Sequence, residues 1–201
     1  MTTWTSRIST ALGITLMLSA CDGPGAPGGV IGSLKPPQNA ALPPAPLRQA
    51  KMMRGAVTLV PPGGYCIDPV SLSQSFAIMA RCDILGAPTG GSGAPIGVLT
   101  VSFARSASDA TLPTAQTLAA AGLLSSPTQT RQSPATIVFQ TTGSPPSSDL
   151  SPTHWRSVTL VGPLMMGAAL FGPEGRRAVS EEGAGVLEEM IRLTTEKTIG
   201  G

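Results

Sequence analysis

One histidine and three cysteines are the scarcest reactive groups in this 201-residue chain: His154, Cys21, Cys66 and Cys82. An imidazole can serve as a general base, but it needs a nucleophile and an orienting carboxylate beside it. No serine sits in a Gly-x-Ser-x-Gly elbow; Gly91-Ser92-Gly93-Ala94 lacks the last glycine. His154 precedes Trp155 at the start of a predicted strand, which places it at an edge or on the surface. One histidine cannot build a histidine-rich metal site. The Gly90-Gly91-Ser92-Gly93 run lacks the Lys-Ser/Thr pair of a phosphate loop and the spacing of a dinucleotide fingerprint, and reads as a flexible loop. Asp68, Asp83 and Asp109 are dispersed and form no calcium loop. Asp68, followed by Pro69, suits a helix N-cap. Glu181-Glu182 and Glu188-Glu189 read as the solvated side of a helix. Arg176-Arg177, at the predicted start of that helix, opposes its dipole and is available to a partner or a lipid headgroup. No catalytic residue, cofactor or metal ligand is assigned, and the chain is read as a non-enzyme.

The N-terminus carries the sharpest signal. Arg7 is the only charge before an apolar stretch from Ile8 to Leu18. That stretch is too short for a bilayer span, which takes about 20 apolar residues. A positive start and a short apolar core are the pattern of a secretory signal, read over residues 1–20. Leu18-Ser19-Ala20-Cys21 then resembles the lipobox of bacterial lipoproteins: a branched apolar residue, two small ones and Cys. The resemblance covers residues 1–21 and leaves the mature domain unrecognised. It implies lipidation of Cys21, cleavage before it and acylation of the new amino group. One buried acyl chain holds a protein marginally; two or more hold it firmly. The expected partner of Cys21 is therefore a membrane, and the expected place is the bacterial envelope, facing the periplasm. In the enterobacterial lipoproteins that this segment resembles, an Asp after the cysteine implies retention at the inner membrane, so Asp22 tilts the expectation that way.

With Cys21 lipidated, two cysteines remain in an oxidising compartment. Cys66 and Cys82 read as a disulfide, with free buried thiols as the alternative. The bridge would close a loop of about 15 residues, worth roughly 3 kcal/mol in the chain-entropy account. No Cys-x-x-Cys exists, so a redox pair is not expected.

Composition divides the remainder. Residues 21–50 follow the signal as a lipidated Cys and tether: positions 22–50 hold 7 Pro, 5 Gly and 5 Ala in 29 positions, too little to bury a core. Short proline segments around Lys35-Pro36-Pro37 and Pro43-Pro44-Ala45-Pro46 are the alternative, as docking sites. Residues 51–201 carry ten basic and ten acidic residues, so the domain is neutral and shows no block of like charge. That argues against nucleic acid. About 150 residues suffice for an independent core.

The apolar runs predict strands over 56–60, 65–67, 76–85, 96–104, 135–141, 155–161 and 165–171. A short helical turn is predicted from Asp68 through Gln74, an Ala-rich helix over 111–124, and a C-terminal helix over 173–197. In the last, Val179, Gly183, Val186, Leu187, Met190, Ile191 and Thr194 fall on one stripe. Gly183 and Gly185 weaken it by about 1 kcal/mol each, which points to a close packing contact. The order predicts an α+β domain: an antiparallel sheet carrying a C-terminal amphipathic helix and one or two shorter helices. Oxygen-evolving-complex-type sandwiches share such a plan, and no motif ties this chain to them. The functional expectation is a membrane-anchored envelope lipoprotein whose domain binds or assembles with another envelope protein. The alternative is a periplasmic module for small molecules or cell-wall fragments, which a pocket lined by Tyr65, Trp155 or Phe76 would favour.

Overall fold

The structure, a computed structural model, describes residues 44–91, 93–107 and 110–200. The signal segment, Cys21 and most of the proposed tether lie outside the described residues.

The described residues form nine strands and two α-helices. A small hairpin comes first, β1 (Ala50–Met52) against β2 (Val57–Leu59). The main sheet follows: β3 (Tyr65–Ile67), β4 (Phe76–Arg81), β5 (Val98–Arg105), β6 (Thr128–Gln132), β7 (Thr136–Thr142), β8 (Thr153–Val161) and β9 (Leu164–Phe171). Its spatial order is β3-β4-β5-β9-β8-β7-β6, antiparallel throughout. Helix α1 (Ala115–Ala121) lies between β5 and β6 in sequence, and α2 (Glu181–Ile199) ends the chain. The fold is α+β.

Strand alternation assigns two faces. Val101 faces Ala77 and Ala168 across the ladder, and Leu99 faces Met79 and Leu170. These residues, with Trp155, are buried in one apolar cluster with Val186, Leu187 and Met190 of α2. Each fully buried Val, Leu or Met there contributes about 1.5–3 kcal/mol. The residues between them point the other way: Phe76, Thr100, Ser102, Gly167, Ala169 and Arg156. On that second face α1 covers only the β7 end, where Ala115 and Ala119 pack on Ile137 and Phe139. A central antiparallel sheet can leave one face partly wet.

The β8–β9 hairpin forms as predicted, turning through Gly162-Pro163 with Gly162 at φ 58°. A glycine at the first central position is what a tight hairpin of this hand requires. Several boundaries differ from the sequence reading. No helix forms after Asp68: its carboxylate accepts from Val70 N at 3.0 Å and closes a turn instead. A side chain that satisfies a local N–H stabilises a turn as readily as a helix start. The C-terminal helix begins at Glu181, capped by the Ser180 hydroxyl, which accepts from Glu182 N. Arg176-Arg177 therefore precede it, in a bend and a 3-10 turn, and the first helical turn carries Glu181 and Glu182, which suit the dipole. Strand β6 has no counterpart in the sequence reading. Thr128-Gln129-Thr130-Arg131-Gln132 is polar, mostly exposed and bulged, so it has no apolar period to detect. The fold also takes up residues read as tether: Leu47 and Ile67 exchange both backbone hydrogen bonds at 2.9 Å, and Ala50 is buried.

Gly183 explains the weak helix start. A Cβ there would collide with the Ala178 carbonyl and lie 2.6 Å from Trp155 Cδ1, whereas Gly185 faces open space. The glycine lets α2 pass directly over the Trp155 ring.

Candidate binding site

The partly covered face holds a hollow of ≈ 270 Å³. Thr100, Gly167 and Ala169, on the adjacent strands β5 and β9, form a floor of small residues. Phe76, Leu118, Phe139 and Phe171 supply apolar walls, and Arg156 supplies the one cation of the lining among the described residues.

Arg156 is held by its own strand. Residues 154 and 156 share a face by the two-residue period, and Arg156 Nε donates to His154 Nε2 at 3.0 Å. A guanidinium can only donate, so Nε2 is the acceptor. His154 is then the neutral tautomer whose Nδ1–H donates to the Pro152 carbonyl at 2.8 Å. The imidazole also stacks on Phe171, with centroids 4.4 Å apart. Burial lowers the His154 pKa below its ordinary 6.5; the Pro152 carbonyl partly offsets this, and the Arg156 charge adds to it. Burial likewise lowers the pKa of Arg156, though a guanidinium stays charged. Among the described residues, no carboxylate lies within ion-pair distance of Arg156, and its terminal nitrogens make no hydrogen bond.

The remaining predicted residues sit as follows. Cys66 and Cys82 are joined in a disulfide, Cα–Cα 4.8 Å, both fully buried. Cys66 lies in β3, and Cys82, just past β4, donates its N–H to the Gly64 carbonyl, so the bridge clips one hairpin. Tyr65 and Trp155 are buried on the core side of the sheet and do not line this hollow. Tyr65 is buried and donates its hydroxyl to the Pro95 carbonyl at 2.7 Å; burial pushes its pKa up to about 12. Trp155 donates its indole N–H to the Ser180 carbonyl at 2.7 Å. Of the three residues weighed for a pocket, only Phe76 faces the hollow.

Among the described residues, the two ring nitrogens of His154 meet the Pro152 carbonyl and Arg156 Nε, not a hydroxyl or a carboxylate. Asp83 pairs with Arg81, and Arg177 forks onto Glu182. Glu188 and Glu181 reach Arg131, at 3.2 and 3.6 Å. Exposed pairs of this kind contribute little to stability. Met166 is core and Met165 lies half-buried on the opposite face.

Sequence reasoning missed Arg156. The available signal was its position: a charged residue inside a strand flanked by apolar segments, two residues after the only imidazole. Neither fact identifies a site until β9 and α1 form the hollow around it.

No family model matches the chain, and no curated protein matches it in sequence. Among solved structures it is similar to cyanobacterial PsbP (CyanoP) from Synechocystis sp. PCC 6803, determined in solution. The two share 14% identity over 80% of this chain and 98% of that one, with a TM-score of 0.41.

Proposed function

We propose that this chain is a lipid-anchored bacterial envelope protein whose folded domain, displayed on the periplasmic side, works by binding rather than by covalent catalysis. The observation that carries the anchor is Leu18-Ser19-Ala20-Cys21 behind a short apolar stretch, followed by a proline- and glycine-rich segment. No helix among the described residues is long and apolar enough to cross a membrane; the attachment proposed here is the lipid on Cys21. The disulfide fits an oxidising compartment. The commitment of both His154 nitrogens supports binding over general-base chemistry. The domain acts as an interaction or assembly module for an envelope protein, and Asp22 favours the inner membrane. The half-covered sheet face favours a second reading, a small-molecule binding module, because its hollow presents an arginine whose terminal nitrogens are unpaired among the described residues.

The test is metabolic labelling of the full chain with an alkyne-bearing palmitate, followed by fractionation. Wild-type protein should carry the label and sediment with membranes. Cys21→Ser should lose both. Cross-linking in the native envelope should then capture a reproducible protein set that depends on the anchor. An unlabelled, freely soluble wild type would overturn the anchoring.

A further inference from the structure

We propose that the hollow over β5, β9 and β8 binds a small monocarboxylate, with Arg156 as the residue that takes the charge and His154 as the residue that positions it. The inference rests on the binding reading above, in its small-molecule form. Three features point to this ligand class. First, Arg156 presents its terminal nitrogens with no partner among the described residues, while its Nε is tied to His154 Nε2. A guanidinium fixed at one nitrogen offers its remaining edge as a planar fork, which matches the two oxygens of a carboxylate. Second, Arg156 is the one cation of the lining among the described residues, so it balances one negative charge and leaves a dianionic phosphate undercompensated. Third, the walls are Phe76, Leu118, Phe139 and Phe171 over a floor of Gly167 and Ala169. Such walls suit a compact apolar body, and ≈ 270 Å³ accommodates a carboxylate carrying about four to six carbon atoms.

His154 contributes through Arg156. Its neutral form accepts from Nε and holds the guanidinium plane, and the stack on Phe171 fixes the ring. Protonation of His154 removes that acceptor and sets a second cation beside Arg156.

The test titrates the full chain, solubilised in detergent, with benzoate, isovalerate and hexanoate, reading thermal shift and the Arg156 side-chain NMR signal. Benzamide is the uncharged control and inorganic phosphate the competing anion. At least one carboxylate should bind saturably, and benzamide and phosphate should not. Arg156→Gln should weaken binding about a hundredfold, the scale of paired charge-assisted hydrogen bonds. Arg156→Lys, which keeps the charge and loses the fork, should weaken it about tenfold. His154→Gln retains an acceptor for Nε and should stay within about threefold, whereas His154→Phe keeps only the stack and should lose about tenfold.

No saturable response to any of the three carboxylates at millimolar concentration would overturn the proposal. So would equal binding of phosphate, or binding indifferent to Arg156→Gln in a variant that still melts cooperatively. Asp109 falls outside the described residues. Binding that emerges only in Asp109→Asn would also overturn it, since the chain's own carboxylate would then fill the site. Palmitate labelling is a separate readout. A lipidated chain that ignores carboxylates sinks this inference alone, and an unlipidated chain that binds them sinks the anchor alone.

Discussion

His154 Nε2 accepts a hydrogen bond from Arg156 Nε at 3.0 Å, and the two residues stand on one face of one strand. The contact fixes a tautomer as well as a distance, because the imidazole must be neutral to accept. The single histidine is thereby turned from a candidate base into a support for a cation.

Stability should depend on pH through this pair. The folded-state pKa of His154 lies below its ordinary 6.5, first through burial and then through the Arg156 charge. Below 6.5 the unfolded chain takes up a proton that the folded chain resists, so the unfolded state binds more protons and folding weakens as pH falls. The loss begins near 6.5 and continues down to the depressed folded value. Melting temperature should drop from pH 7 toward pH 5 in the wild type, and His154→Gln should flatten that slope. A wild type with no slope in this window would contradict the buried neutral tautomer.

Ser157 follows Arg156 and points into the opposite side of the sheet, where its hydroxyl is buried with no hydrogen-bond partner among the described residues. An unsatisfied buried hydroxyl costs about 1–3 kcal/mol. Ser157→Ala should therefore raise stability, by about 1 kcal/mol in urea unfolding. Destabilisation would mean that the hydroxyl has a partner.

The two glycines of α2 should respond oppositely to alanine. Gly185→Ala places a methyl in open space and should stabilise by about 1 kcal/mol, the helix-propensity difference. Gly183→Ala drives a methyl into the Ala178 carbonyl and the Trp155 ring and should cost about 1–3 kcal/mol through overpacking. Equal responses would show that α2 does not cross Trp155 closely.

The Cys66–Cys82 bridge, with a sequence separation of 16, should contribute about 3 kcal/mol by restricting the unfolded chain. Reduction, or Cys66→Ala with Cys82→Ala, should lower the denaturation midpoint accordingly. An unchanged midpoint would show that the hairpin needs no clip, since β3 is already paired with β4 and bridged to Leu47.

Local chemistry made much of this protein legible in its sequence. The β8–β9 hairpin could be read because two apolar runs flank a Gly-Pro turn. The buried stripe of α2 followed from the 3.6-residue period, and Gly183 betrayed a close approach because a helix otherwise avoids glycine. The pairing of Cys66 with Cys82 was visible because it depends on residue type and count. Other features have no local signature. β6 is polar and exists because β7 offers it an edge. Asp68 would cap a helix or close a turn equally well, and the pairing of β3 with β4 on either side selects the turn. Tyr65 and Trp155 look like pocket residues until the layers close over them. The hollow around Arg156 belongs wholly to the tertiary structure. Its floor comes from β5 and β9 and its walls from α1, β4, β7 and β9, segments as far apart as Phe76 and Phe171. Residue type and short-range periodicity act within a few positions along the chain. A binding surface is made by which strands become neighbours, and that is decided by burying one face of the sheet under α2 while α1 leaves part of the other uncovered.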